Sequence, residues 1–220
     1  MSTPYFQSIL RGSLLTVIPL FGGLTLGLVS GAVLFHLLPG SNVIHPSLSH
    51  MTIAAIPALF GFLLAGAAWG TSMSKLAGRP SSRRLAWAGM LGFAPITMAL
   101  AVGLGVVEGM SNRGFMAQIP THRLFTILFV PAAFLIAGTS AWAIGMGLKE
   151  HYLAKWFFLR VGLAAAGTFL AINLIMESSG WVVGGPGAAE RATMVTVLML
   201  GNMGAALVGG GIMGWRFHMG

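Results

Sequence analysis

Imidazole and carboxylate side chains are the groups in this sequence that could bind a metal ion or transfer protons, and most of them fall at the ends of apolar segments. Their positions are His36, His45, His50, His122, Glu108, Glu177 and Glu190. Both groups are suitable ligands for Zn²⁺ and related ions. If the segment ends converge on one side of a helix bundle, these groups form a polar vestibule. We assign its outer rim to Glu108, His122, Glu177 and Glu190.

The same residues also have a simpler interpretation, because polar side chains at helix ends face water and cap the backbone. The spacing H-x8-H-x4-H of His36, His45 and His50 matches no metal-binding motif, and we predict no metal site. His36 closes the first apolar segment and His50 opens the second, so they should lie at similar depth on adjacent helices. They are the candidate ligands for a haem or pigment cofactor, whose identity the sequence leaves unknown.

The sequence contains no signature of a known catalytic site. It has no G-x-S-x-G, no H-E-x-x-H and no P-loop motif. It also has no cysteine, and its only acidic residues are four glutamates, since aspartate is absent. These absences exclude thiolate chemistry and disulfides and argue against hydrolysis within the membrane. We therefore predict no catalytic residues and favour a non-enzymatic role.

Six long apolar stretches must position these groups, and they predict an all-α, polytopic membrane bundle of six transmembrane helices. A hydrocarbon core of about 30 Å needs roughly 20 helical residues to cross. The predicted spans are 12–38, 50–74, 84–108, 123–148, 154–178 and 189–215. The connections are too short to fold separately, so residues 1–220 form a single domain without a soluble part. A weak repeat of about 70 residues, one helical hairpin, suggests three repeated hairpins.

The basic residues predict the orientation of this bundle. Nine lie on the side of the predicted helices that holds both termini: Arg11, Lys75, Arg79, Arg83, Arg84, Lys149, Lys155, Arg160 and Arg216. Cytoplasmic loops carry the excess of Lys and Arg, so both termini should be cytoplasmic, as in a multi-pass protein of a bacterial inner membrane. Five tryptophans map to the same side, as an interfacial belt: Trp69, Trp87, Trp142, Trp156 and Trp215. The net charge of +8 thus indicates contact with anionic lipid, and we expect no nucleic-acid partner.

Small residues at helical spacing predict where helices pack closely. Gly23, Gly27 and Gly31 form one stripe on the first helix, and a second on the sixth comprises Gly201, Ala205 and Gly209. In lipid, close backbone approach at such stripes drives helix association. We expect each stripe to be covered by another helix, from this chain or from a partner.

The stripes, the uncharged helix centres and the missing soluble domain favour one function over two others. The favoured role is a non-catalytic accessory or scaffold subunit of a larger membrane assembly, with other membrane subunits or further copies of the chain as partners in the lipid bilayer. A small channel or facilitator for a neutral or weakly polar solute is the first alternative. A haem- or pigment-binding redox or photosynthetic subunit is the second.

Overall fold

The computed structural model describes residues 4–39, 48–79, 83–93, 121–180 and 188–219. The fold is all-helical, with six helices and no strand in these ranges, and the predicted all-α class is confirmed. That all six helices cross the membrane stays a prediction. The helices are α1 (Pro4–Leu37), α2 (Leu48–Leu76), α3 (described over 83–93), α4 (Thr121–Gly147), α5 (His151–Ser178) and α6 (Ala188–Met219).

Consecutive helices pack side by side and antiparallel, as the residue pairs at their interfaces show. Thr16 of α1 contacts Trp69 of α2, and Gly23, further along α1, contacts Gly61 and Ala65, which come earlier in α2. The two helices therefore run in opposite directions. The other four consecutive pairs follow the same rule. The sixth helix then packs against the first. The six helices therefore form a closed ring in chain order, and α1, α3 and α5 begin at the end where α2, α4 and α6 finish.

The two terminal helices are longer than the apolar pattern predicts. Helix α1 begins at Pro4 rather than at residue 12, and α6 continues to Met219 rather than stopping at 215. The added turns pack on each other, with the Tyr5 and His218 rings edge to face at 4.8 Å. Hydropathy alone misses these turns because their stability comes from contact between the two ends of the chain.

Among the described residues, three helices are long and apolar enough to cross a membrane: Pro4–Leu37, Ile127–Gly147 and His151–Ser178. At 1.5 Å per residue, the 34 residues of α1 span about 51 Å. This exceeds the hydrocarbon core, so a membrane-spanning α1 must tilt or extend into the headgroup region. By length and composition these helices are compatible with an integral membrane protein.

An apolar core fills the ring in the half nearest residues 79 and 149. Large side chains from five helices meet there, and the most buried are Trp69, Met73, Phe93, Ile144, Phe157 and Met213. Trp69 and Phe93 pack with their ring centroids 5.0 Å apart. The assignment of Trp69 to the interfacial belt is therefore wrong, because only 2% of its surface is accessible. Trp87 and Trp142, by contrast, are exposed on the outside of the bundle.

Candidate functional site

Polar contacts concentrate at the end of the bundle where the turn after α2 meets the turn after α4. The Arg79 guanidinium donates from Nη1 to the Leu148 carbonyl, at 3.3 Å, and from Nη2 to the Glu150 carboxylate. Arg84, at the start of α3, donates from Nη2 to the Met146 carbonyl at 3.1 Å. Arg79 therefore joins the two turns, and Arg84 joins the start of α3 to the end of α4. The Leu148 carbonyl is one of those that the last turn of a helix leaves without an intrahelical partner.

The turn after α4 has the local structure that exposes these acceptors. Lys149 adopts a left-handed backbone conformation, with a φ of 64°. The amide of Glu150 donates to the Gly145 carbonyl at 3.1 Å, and that of Lys149 donates to the Met146 carbonyl. This pattern ends a helix in the same manner as a glycine C-cap. The turn thereby presents Lys149 and the paired Glu150 on the surface, where both are exposed.

The nine basic residues of the predicted cytoplasmic side lie in the half of the ring nearest this end, because the helices alternate in direction. Arg160 is the farthest from the end, about two and a half turns into α5. The described residues at this end contain one carboxylate, Glu150, and it pairs with Arg79. The charge of this end is thus strongly positive. Anionic groups are the ligands that such a surface attracts.

A second polar contact is buried inside the core. The indole Nε1 of Trp69 donates to Thr16 Oγ1 at 3.1 Å, and the Thr16 hydroxyl donates to the Gly12 carbonyl at 2.9 Å. Ser140 likewise donates to the Gly92 carbonyl and so joins α4 to α3. In the described part of the chain no buried side-chain nitrogen or oxygen lacks a hydrogen-bond partner. These interior groups form hydrogen bonds within and between the helices, which leaves them unsuited to substrate binding.

The predicted outer rim is not assembled by the described residues. Glu108 lies outside them, as do the side chains of His122 and Glu190. Glu177 is exposed near the end of α5. No cluster of three or more His, Cys, Asp or Glu side chains suited to a metal occurs within the described ranges. The rim therefore stays a prediction.

The candidate cofactor ligands are not brought together either. His36 is exposed in the last turn of α1, with its ring 6.1 Å from that of its neighbour Phe35. The side chain of His50 lies outside the described residues. A haem between these two residues stays a prediction.

The two small-residue stripes face helices of the same chain. Gly23 and Gly27 meet Gly61 of α2, and Gly31 is also buried. On α6, Gly201 lies against the Phe169 ring and Gly209 against Val161, both on α5, and Ala205 is buried between them. The stripes therefore do not face each other, and each is covered from within the chain.

Glycines outside the two predicted stripes make the closest contacts between helices. Gly66 and Gly70 of α2 pack against Gly89 of α3, with backbone touching backbone. Gly12 of α1 packs in the same way against Gly210 and Gly214 of α6. The G-x-x-x-G spacing of Gly66 with Gly70, and of Gly210 with Gly214, could have indicated these contacts. Gly12 and Gly89 have no glycine four residues away, so the sequence contains no such indication for them.

The ion pair of Arg79 with Glu150 was also missed. The predicted topology had already put both residues on the same side of the membrane, where Glu150 is the only acid among nine cations. Pairing with one of those cations could have been anticipated, although the choice of Arg79 depends on the two turns meeting.

No protein-family model, no curated protein and no solved structure matches this chain.

Proposed function

We propose that this chain is an integral membrane protein that acts as a non-catalytic accessory or scaffold subunit of a larger membrane assembly, with both termini in the cytoplasm. The supporting observation is a small-residue surface on α5 that no described helix of the chain covers. Gly167 and Ala171 are exposed there, and Ala164 is half-buried beside them. A Cβ placed on Gly167 would meet nothing within 4 Å.

The surroundings of the other glycine on α5 make this surface unusual. A Cβ on Gly162 would lie 2.9 Å from the Phe134 carbonyl oxygen of α4, so Gly162 has a packing role inside the bundle. Gly167 packs against no described residue, yet a glycine in a helix interior costs about 1 kcal/mol relative to alanine. Helices in lipid approach most closely where small residues lie together. A helix from another polypeptide seated on Ala164, Gly167 and Ala171 would give this glycine a packing role.

The filled core supports this role over a channel or facilitator. A path for a solute needs space along the bundle axis, and buried aromatic and aliphatic side chains occupy that space near the basic end. The buried polar groups of the described part are Ser13, Thr16, Ser74, Ser140 and Asn173. None of these is ionisable, and proton or ion pathways through membranes are usually marked by ionisable residues. The described interior is thus suited to packing the helices against one another, as a scaffold requires.

The test compares two identical substitutions at uncovered glycines. Gly167→Leu places a large side chain on the proposed contact surface. Gly22→Leu is the matched control, because a Cβ at Gly22 also meets no described atom within 4 Å, but both residues four positions away, Ile18 and Leu26, are large and exposed. Gly167 has exposed leucines on one side, Leu163 and Leu170, and the small residues Ala164 and Ala171 on the other. Each protein is extracted in a mild detergent, and its mass, polypeptide content and helical circular dichroism are measured.

We expect the wild-type chain and Gly22→Leu to purify with a different polypeptide, at a total protein mass above the 22.9 kDa of the chain alone. Gly167→Leu should lose that polypeptide and keep its helical signal. A wild-type chain that purifies alone, or a Gly167→Leu variant that keeps its partner, contradicts the proposal. A colourless homo-oligomer would favour the facilitator, and a Soret or Qy absorption band would favour the cofactor-binding subunit.

A further inference from the structure

We infer that the turns after α2 and α4 form a binding site for the headgroup of an anionic phospholipid. The site consists of five cations, which we call the headgroup cluster: Lys75, Arg79, Arg83, Arg84 and Lys149. This inference does not depend on the accessory or scaffold role, because a lipid site at the membrane surface is compatible with any function of the bundle.

The cluster is held together by the contacts between the two turns. Arg79 is fixed by the Leu148 carbonyl and by Glu150, and Arg84 is fixed by the Met146 carbonyl. A guanidinium has five N–H donors, so each arginine keeps donors for a further acceptor after these bonds are made. Because the protein already orients both guanidinium groups, little conformational entropy remains to be lost when a phosphate binds.

The register of α3 against α4 brings two more cations to the same level. Gly92 of α3 contacts Ser140 of α4, and Leu85 contacts Gly147. In this antiparallel pair the two residue numbers of each contact add up to 232, which defines the register. Continuing this register places Arg83 level with Lys149, at the ends of two adjacent helices. Both side chains are exposed.

The charges at this place do not cancel. The headgroup cluster carries five positive charges, and Glu150 is the single carboxylate among the described residues of the two turns. The surplus of four is concentrated within two short turns that touch each other. A phosphate diester accepts hydrogen bonds from several donors at once and reduces the repulsion among these cations.

Two exposed tryptophans indicate that the phosphate belongs to a lipid. In the same register Trp87 of α3 is level with residue 145 of α4, three residues from Trp142, which is about 4.5 Å along the axis. Both indoles are on the outside of the bundle, 62% and 43% exposed. Tryptophan concentrates at the interface between hydrocarbon and headgroups. Arg83 and Arg84 lie about one turn beyond Trp87 toward the helix end, at the depth of the phosphates.

The experiment measures lipid binding to the full chain in a neutral detergent by native mass spectrometry. The probes are phosphatidylglycerol, phosphatidylcholine with the same acyl chains, and free glycerol 3-phosphate as the soluble source of the same phosphate. An acidic glutamate peptide tests for a protein partner. The test variant is Arg83→Gln with Lys149→Gln, and the control is Arg11→Gln with Lys155→Gln. The control likewise removes one Arg and one Lys charge, from exposed positions on α1 and α5 near the same end.

We expect phosphatidylglycerol to bind more tightly than the other three probes. The test variant should weaken its binding by roughly 10- to 30-fold, since each basic residue near an anionic surface contributes about 1 kcal/mol and 1.4 kcal/mol corresponds to tenfold. The control should change it by less than about 3-fold on the same scale. A charge-preserving variant, Arg83→Lys with Lys149→Arg, should bind nearly as the wild type does, which separates lost charge from lost folding.

Three results would overturn the inference. Equal binding of phosphatidylcholine would remove the role of the headgroup charge. An equal loss of phosphatidylglycerol binding in the control variant would show that the cations at this end of the bundle attract lipid without forming a defined site. Glycerol 3-phosphate or the acidic peptide binding as tightly as phosphatidylglycerol would assign the cluster to a soluble ligand.

Discussion

The contact between α1 and α6 closes the helix ring, and replacing Gly12 with alanine tests how much that contact contributes. A Cβ at residue 12 would lie 2.8 Å from the Cα and 2.9 Å from the nitrogen of Gly214, and closer still to the Gly210 carbonyl oxygen. Carbon atoms attract best at about 3.5–4.0 Å. All three neighbouring atoms belong to the backbone, so no side-chain rotation can relieve the clash. Helix α6 must therefore move away by about 0.7 Å or more, the difference between 3.5 and 2.8 Å.

The cost of this movement can be separated from the helix propensity of alanine by a matched substitution in the same helix. Overpacking costs about 1–3 kcal/mol, whereas Gly→Ala in a helix gains up to about 1 kcal/mol. The movement also lengthens the hydrogen bonds from Ser8 to the Gly214 carbonyl and from Ser13 to the Leu207 carbonyl, both now 2.7 Å. Gly22→Ala has the same propensity gain and no clash.

We expect Gly12→Ala to be less stable than Gly22→Ala by about 1–3 kcal/mol, because the propensity gain is common to both and only the clash differs. Gly22→Ala itself should be neutral or more stable than the wild type. The measurement is reversible unfolding in mixed micelles with a denaturing detergent, followed by circular dichroism. Equal stability of the two variants would refute the reasoning and show that α1 and α6 separate without cost.

Three further predictions concern other contacts of the bundle. Thr16→Val removes the acceptor of the buried Trp69 indole and should lower the free energy of unfolding by about 1–3 kcal/mol, whereas Thr16→Ser should be mild; the same unfolding assay measures both. Glu150→Gln removes an exposed ion pair and should cost less than about 1 kcal/mol, with the difference vanishing in high salt. For the orientation, an impermeant maleimide should label Ser179→Cys in intact cells and should not label Ser82→Cys, and the reverse pattern would invert the topology.

The sequence was sufficient to predict the helices because their periodic signal is strong. Long apolar stretches separated by Gly, Pro and Ser turns allow few alternatives in lipid, where backbone groups must be satisfied within the segment. The boundaries of the inner helices agree with the predicted spans to within three residues at each described end. The ends of α1 and α6 were missed because Ser8 and Tyr5 are stabilised by residues about 210 positions away in the chain.

The candidate site was predicted far less well, because hydropathy gives the depth of a residue and says little about the direction of its side chain. Trp69 and Trp87 both map near the basic end, yet one is buried against Phe93 and the other faces outward. The same limit applies to the weak repeat. It matches Trp69 with Trp142, but Trp142 is exposed. Equivalent positions in the two hairpins therefore differ in environment, and the repeat gives no information on what each side chain does.

The distribution of glycine restricts how this bundle can work. Glycine brings backbone to within van der Waals contact between α1 and α2, between α2 and α3, and between α6 and α1. Packed helices with so little side chain between them cannot slide or tilt without breaking contacts along their length. A carrier that opens alternately to each side needs at least one interface that separates at low cost. Among the interfaces described, that of α5 and α6 is different, because its glycines meet side chains: Gly201 lies against the Phe169 ring and Gly209 against Val161. If any motion occurs in this protein, we expect it between α5 and α6. The interfaces where glycine meets backbone, that of α4 and α5 included, should remain a rigid support.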